Sequence, residues 1–91
     1  MKSLTHKINR FGENLKYILS VKGWSQQQLA DKLYTTQQCI SRWINGNREP
    51  SLDDVLLVCR LLDEDPNELL GYNDLRDVDP NILNKRLRRN I

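Results

Sequence analysis

The sequence predicts an all-α fold, five short helices around one core, with material for a sixth near the C-terminal end. Three observations predict it. Apolar residues recur at the three- and four-residue spacing of a helix face. The periodic segments are bracketed by residues suited to start a helix (Ser25, Thr36, Ser51, Pro66) and to stop one (Gly23, Gly46, Gly71). No segment shows the alternation of a half-buried strand.

The first helix is expected over about residues 9–21, with Phe11, Leu15, Ile18 and Leu19 on one face and Lys22-Gly23 as its stop. Trp24 then packs into the core. Ser25 caps a second helix whose Leu29, Ala30 and Leu33 share a face, and Thr36 caps a third running to Asn45. That third helix carries Ile40, Trp43 and Ile44 toward the core and leaves Gln37, Gln38, Ser41, Arg42 and Asn45 on the opposite side. Asn45-Gly46-Asn47 suits a left-handed cap. In the fourth helix, residues 52–62, the apolar set is Leu52, Val55, Leu56, Val58, Cys59 and Leu62, all expected to be buried, with Ser51 as cap and Asp53 and Asp54 favourably placed against the helix dipole. Pro66 opens a fifth helix, residues 66–70, ended by Gly71. Beyond it the chain turns polar and charged. Asp79-Pro80 can start a sixth helix, in which Ile82, Leu83, Leu87 and Ile91 form a narrow apolar stripe. That stripe can pack on the domain, meet its twin in a dimer or bind another protein, or the tail can fray. The chain therefore divides into an N-terminal arm (1–8), a folded domain (9–71) and a tail (72–91).

Ninety-one residues predict one small domain, with no room for a separate sensor or catalytic domain. The net charge of +2 says little by itself, so placement of the charges matters more. Acidic residues gather between positions 53 and 68. Lys22, Lys32, Arg42 and Arg48 flank the third helix, and Lys85, Arg86, Arg88 and Arg89 crowd the end of the chain. One positive face is expected, although any single charge can equally serve solubility. No segment is long and apolar enough to span a bilayer or serve as a secretion signal, and a cytoplasmic location is expected. Cys39 and Cys59 lack metal-ligand spacing and His6 is remote in sequence, so reduced thiols, no metal and no cofactor are expected. An enzyme is the least expected class: no nucleophile has a base beside it, and no glycine-rich phosphate loop is present.

Residues 23–51 carry the functional signal, two short helices joined by a tight turn. The pattern of Gln26, Leu29 and Ala30, a turn, then Ile40, Trp43, Asn45 and Gly46 resembles the helix-turn-helix domains of the phage repressor and Cro type. The likeness covers roughly residues 11–70. It implies a lambda-repressor-like five-helix bundle that binds double-stranded DNA in a sequence-specific way and regulates transcription, most simply as a dimeric repressor. Two departures stand out. Tyr34 occupies the turn position where the family usually has Gly or another small residue, and must take an unusual backbone angle or reshape the turn. Many members also pair a basic residue in the first helix with an acidic one before Asn-Gly. Leu19 and Ile44 stand at those positions and are expected to meet as packed hydrophobes, an exchange that keeps the fold.

Amide side chains suit adenine in the major groove, so Gln37 and Gln38 are the first candidates for base contact. Arg42, one turn on, can grip guanine or a phosphate, and Ser41 is a weaker base candidate. Gln26, Thr36, Asn45, Asn47 and Arg48 are candidates for phosphate contact, helped by unsatisfied N–H groups where the second and third helices begin. Purely structural roles are open to them too: Thr36 as cap, Asn45 and Asn47 as turn formers, Gln26 as a solvated first-turn residue. Trp43 shares a face with Ile40 and is expected in the core. A domain this small covers few base pairs, so a homodimer on half-sites roughly 34 Å apart is expected, joined around the fifth helix near Leu69, Leu70 and Tyr72 or through the tail. The alternative is an antitoxin or adaptor that binds a protein partner through residues 79–91.

Overall fold

The structure, a computed structural model, describes residues 9–72 and residue 81. The N-terminal arm and nearly all of the tail, including the expected sixth helix with its apolar stripe, lie outside the described residues. Within them the chain forms five helices and no strand: α1 (Phe11–Lys22), α2 (Gln26–Lys32), α3 (Gln37–Asn45), α4 (Leu52–Leu62) and α5 (Pro66–Leu70).

Each helix starts where a side chain can accept from N–H groups that the helix itself leaves unsatisfied. Ser25 accepts from the Gln28 amide while Gln28 reaches back to the Ser25 N–H, and Ser51 and Asp54 make the same reciprocal box at α4. Thr36 and Asp65 cap α3 and α5. The first helix starts two residues later than the sequence suggests and runs one residue further, to Lys22. The cause is tertiary. The Arg10 N–H donates to the Leu70 carbonyl at 3.0 Å, which holds Arg10 out of helical geometry, and the Asn9 side chain turns to accept from the Phe11 N–H.

The core is continuous from α1 to α5. Phe11, Leu15, Ile18 and Leu19 of α1 meet Leu29 and Ala30 of α2, Ile40 and Trp43 of α3, Val55, Val58, Cys59 and Leu62 of α4, and Leu69 of α5. Phe11 and Trp43 pack edge to face, with ring centroids 5.8 Å apart. Trp24, Leu33 and Ile44 are half-buried against this core, so Leu19 and Ile44 both contribute apolar surface to it. The side-chain amide of Asn14 donates to the carbonyls of Glu68 and Leu69, tying α1 to α5. Gly12 is where α1 crosses the end of α3. A Cβ there would stand 2.5 Å from the Trp43 carbonyl oxygen and 2.8 Å from that of Ile44. Only glycine permits this approach, which fixes the end of α3 against α1.

The fourth helix departs from expectation. Val55, Val58, Cys59 and Leu62 are buried, but Leu52 and Leu56 are 83% and 60% exposed, and Leu57 is 51% exposed. Periodicity found an apolar stripe wider than the bundle covers. The buried stripe is centred on Val55, Val58 and Leu62; Leu52 lies at its edge, and Leu56 and Leu57 lie on the outward side of the helix.

Candidate nucleic-acid interface

The helix-turn-helix is built from α2, α3 and the turn 33–36. At the end of α2 the Leu33 N–H donates to the Leu29 and Ala30 carbonyls, and the Thr35 N–H donates back to Ala30 at 2.9 Å, closing the turn. Tyr34 sits between them at φ +57°, in the left-handed region, with its side chain 96% exposed. The turn therefore keeps the tight geometry and tyrosine accepts the strain, which for a non-glycine residue costs about 1–2 kcal/mol.

Thr36 next leaves the turn in extended geometry, and its hydroxyl accepts from the Cys39 N–H at 3.1 Å. This cap starts α3 with Gln37 and Gln38 at its exposed end. The structure brings Gln37 to the start of the neighbouring helix. Its Nε2 donates to Oε1 of Gln26 at 2.8 Å, a bond between the first residues of α2 and α3. The three consecutive glutamines thus have three separate partners: Gln26 faces Gln37, Gln27 donates to Asp31 at 2.8 Å within α2, and Gln28 completes the cap box.

Along α3, Gln37, Gln38 and Arg42 are exposed on the side away from Ile40 and Trp43. Ser41 is half-buried and accepts from the Asn45 amide at 3.4 Å, so these two candidates hold one another. Gly46, at φ +78°, closes the helix, and the N–H groups of Asn47 and Arg48 fold back to the Arg42 carbonyl at 2.9 and 3.3 Å. This left-handed turn is why Asn47 and Arg48 emerge exposed beside the end of α3 instead of continuing along its axis. The candidates fall into two groups: Gln26, Thr36, Gln37 and Gln38 at the paired helix starts, and Asn45, Asn47 and Arg48 at the far end of α3, with Arg42 and Ser41 between. Lys22 pairs with Glu64 at 3.4 Å, so its charge is partly offset there.

What the sequence reading missed is the link between Gln26 and Gln37. It placed one against phosphate and the other against a base without joining them. The available signal was their eleven-residue separation, which sets one glutamine first in each of two capped helices. Cys39 is half-buried in α3, and Cys59 is a buried thiol whose pKa is raised by burial first and then by the nearby charges of Asp65 and Glu64. Among the described residues there is no cluster of His, Cys, Asp and Glu suited to a metal, and no helix is long and apolar enough to cross a membrane.

Two capped helices joined by a closed four-residue turn, with polar starts side by side, define a helix-turn-helix protein. Residues 21–69, more than half of the chain, match the family described as Helix-turn-helix, and the chain belongs to that family, in its XRE type. It is similar to the SPbeta prophage-derived uncharacterized HTH-type transcriptional regulator YonR of Bacillus subtilis, 37% identical over 75 residues that make up 81% of this chain and 68% of YonR. It is also similar to the HTH-type transcriptional activator BcrR of Enterococcus faecalis, 29% identical over 65 residues, which are 71% of this chain but 32% of BcrR. The chain thus corresponds to about a third of that longer relative. No solved structure matches it.

Proposed function

We propose that this protein is a transcription regulator that reads double-stranded DNA in the major groove with α3, as a dimer on a two-fold symmetric operator, and that it represses by occupying that site. The observation that carries the reading is the bond from Gln37 to Gln26.

With one Nε2 hydrogen engaged by Gln26, Gln37 keeps its second hydrogen and its carbonyl oxygen. That is the donor and acceptor pair that adenine requires: the amide N–H to N7, the carbonyl from the N6 amino group. The bond also holds the amide plane in one orientation before DNA arrives, so less side-chain freedom is lost on binding. Gln26 accepts from Gln37 and keeps both its own N–H donors for a phosphate, a position that the start of α2 favours electrostatically. Gln38 and Arg42 extend the reading face, with Ser41 lying deeper. Thr36, Asn45, Asn47 and Arg48 stand at the two ends of α3 as phosphate contacts that set register without carrying sequence information.

The test is selection from randomised duplex DNA, followed by titration of the enriched site with the wild type, Gln37→Ala and Gln26→Ala. An inverted repeat with half-sites about one helical turn apart is expected. Gln37→Ala relaxes preference at one adenine per half-site by about 1–3 kcal/mol while leaving nonspecific affinity nearly unchanged. Gln26→Ala weakens binding to every sequence and, by freeing Gln37, partly relaxes the same adenine. Failure to enrich any motif overturns the proposal, as does an equal loss by Gln37→Ala on all sequences.

A further inference from the structure

The outward face of α4 has no use in reading DNA, yet its composition is not that of a solvated surface. Six residues make it up: Leu52, Asp53, Leu56, Leu57, Arg60 and Leu61. Leu61 is half-buried and the other five are exposed. Three exposed leucines on an eleven-residue helix, bordered by Leu61, which is half-buried against the core, form the kind of patch that soluble domains cover with a partner.

The order of those six identifies the partner. Counted from a point midway between Leu56 and Leu57, the face reads the same in both directions except for the sign of charge. Leu52 mirrors Leu61, Asp53 mirrors Arg60, and Leu56 mirrors Leu57. At 3.6 residues per turn the six also spread symmetrically round the helix, with Leu52 and Leu61 at the two margins and Asp53 and Arg60 near the middle. Two such helices laid antiparallel about a two-fold axis would set leucine on leucine along the seam. They would also bring each Asp53 against the Arg60 of the other copy, twice over. Among the described residues neither Asp53 nor Arg60 has an ion-pair partner within its own chain. A face that matches itself under a two-fold rotation is the defining property of an isologous interface.

We infer that α4 is the homodimer interface, with the two copies packed antiparallel across Leu56 and Leu57 and locked by reciprocal Asp53–Arg60 pairs. This deepens the dimeric reading proposed above and rests on it only for the expectation of two-fold symmetry. It moves the interface from α5 or the tail, the two places the sequence left open, to α4.

The test uses the full chain without DNA. Sedimentation equilibrium is measured for the wild type, Asp53→Arg, Arg60→Asp and an equimolar mixture of the two variants, with Leu56→Lys as a second route. The wild type is expected to be a dimer. Each single charge variant faces like charges at both pairs and self-associates at least about tenfold more weakly, as does Leu56→Lys. The mixture regains the dimer, because one chain then carries two arginines and the other two aspartates. Loss of fold cannot imitate that recovery. A monomeric wild type at its highest soluble concentration overturns the inference, and that result is also expected if residues 73–91 or another protein cover the leucines. Charge variants that dimerise like the wild type, or a mixture that stays monomeric, overturn it equally. Binding of each variant to a single half-site reports α3 separately. Intact half-site reading with no α4 dimer defeats this inference alone, whereas lost reading in an intact dimer defeats the proposal for α3.

Discussion

Helices α3 and α4 are built on the same plan and face the solvent in opposite ways. Each is started by a hydroxyl cap and buries one apolar stripe, Ile40 and Trp43 in α3 and Val55, Val58, Cys59 and Leu62 in α4. Outward, α3 shows amides and an arginine, whereas α4 shows leucines with a single acid and a single base. The inward stripes decide the fold and are interchangeable in kind. The outward faces play no part in the core, so their composition reflects what each helix meets outside its own bundle. On the function proposed above, α3 meets a partner rich in donors and acceptors, and on the inference drawn from its outward face, α4 meets an apolar surface.

The sharpest way to break this comparison is to truncate one leucine-sized side chain on each kind of face. Ile40→Ala removes a fully buried side chain and should cost about 2–5 kcal/mol of folding stability by urea titration. Leu56→Ala, measured at concentrations too low for self-association, should change folding stability by no more than about 0.5 kcal/mol. Equal costs would mean that Leu56 belongs to the core of its own chain.

Gly12→Ala comes next. Alanine is favoured over glycine within a helix by about 0.8–1.0 kcal/mol. Here the new methyl would press on two backbone carbonyl oxygens, which cannot swing aside as a side chain can. The clash should prevail, with a net loss of about 1–3 kcal/mol. Because it displaces the end of α3, affinity for the specific site should fall more than nonspecific affinity. A stabilised variant would show that α1 and α3 can separate without cost.

A smaller effect of opposite sign is expected at the turn. Tyr34→Gly relieves the left-handed strain, loses no burial and gives back part of the gain as unfolded-chain entropy, for a net stabilisation of about 0.5–1 kcal/mol. Destabilisation would mean that the exposed ring has a contact that stabilises the domain.

The smallest effect belongs to Cys59. Its folded pKa lies above the usual thiol value of 9.0, so the neutral thiol is the form that the folded state favours. Its contribution to stability is whole below pH 9.0 and is lost as pH rises through the folded value. Cys59→Ala should therefore flatten the decline of stability in that alkaline window. Cys39, half-buried, should alkylate well before Cys59. Equal alkylation rates would contradict the burial of Cys59.

Most of the fold was legible because its signals are local. Caps and stops at Ser25, Thr36, Gly46, Ser51, Pro66 and Gly71 fix where helices begin and end whatever they pack against. The first helix was misplaced by two residues because its start is set by a bond to Leu70, some sixty positions away, which no local pattern reports. In α4, periodicity distinguishes apolar from polar residues but not covered from uncovered ones. Leu52 and Leu56 look the same as Val55 until the neighbouring helices are in place. Gln37, Gln38 and Arg42 were legible as exposed polar positions on α3, and Tyr34 as a residue that must take an unusual backbone angle or reshape the turn. The Gln26–Gln37 bond was not, because it needs the two helix starts brought together in space.

The central claim is that α3 and not α4 meets DNA. Its most direct test is an NMR titration of the full chain with its enriched duplex, following the backbone amides and the side-chain amides of Gln26, Gln37 and Gln38. The account predicts large shifts at the starts of α2 and α3, a Gln37 side-chain amide that moves together with that of Gln26, and contacts from Gln37 to major-groove protons of one adenine. Shifts gathered on Leu52, Leu56 and Leu57, with the two glutamine amides unmoved, would contradict it.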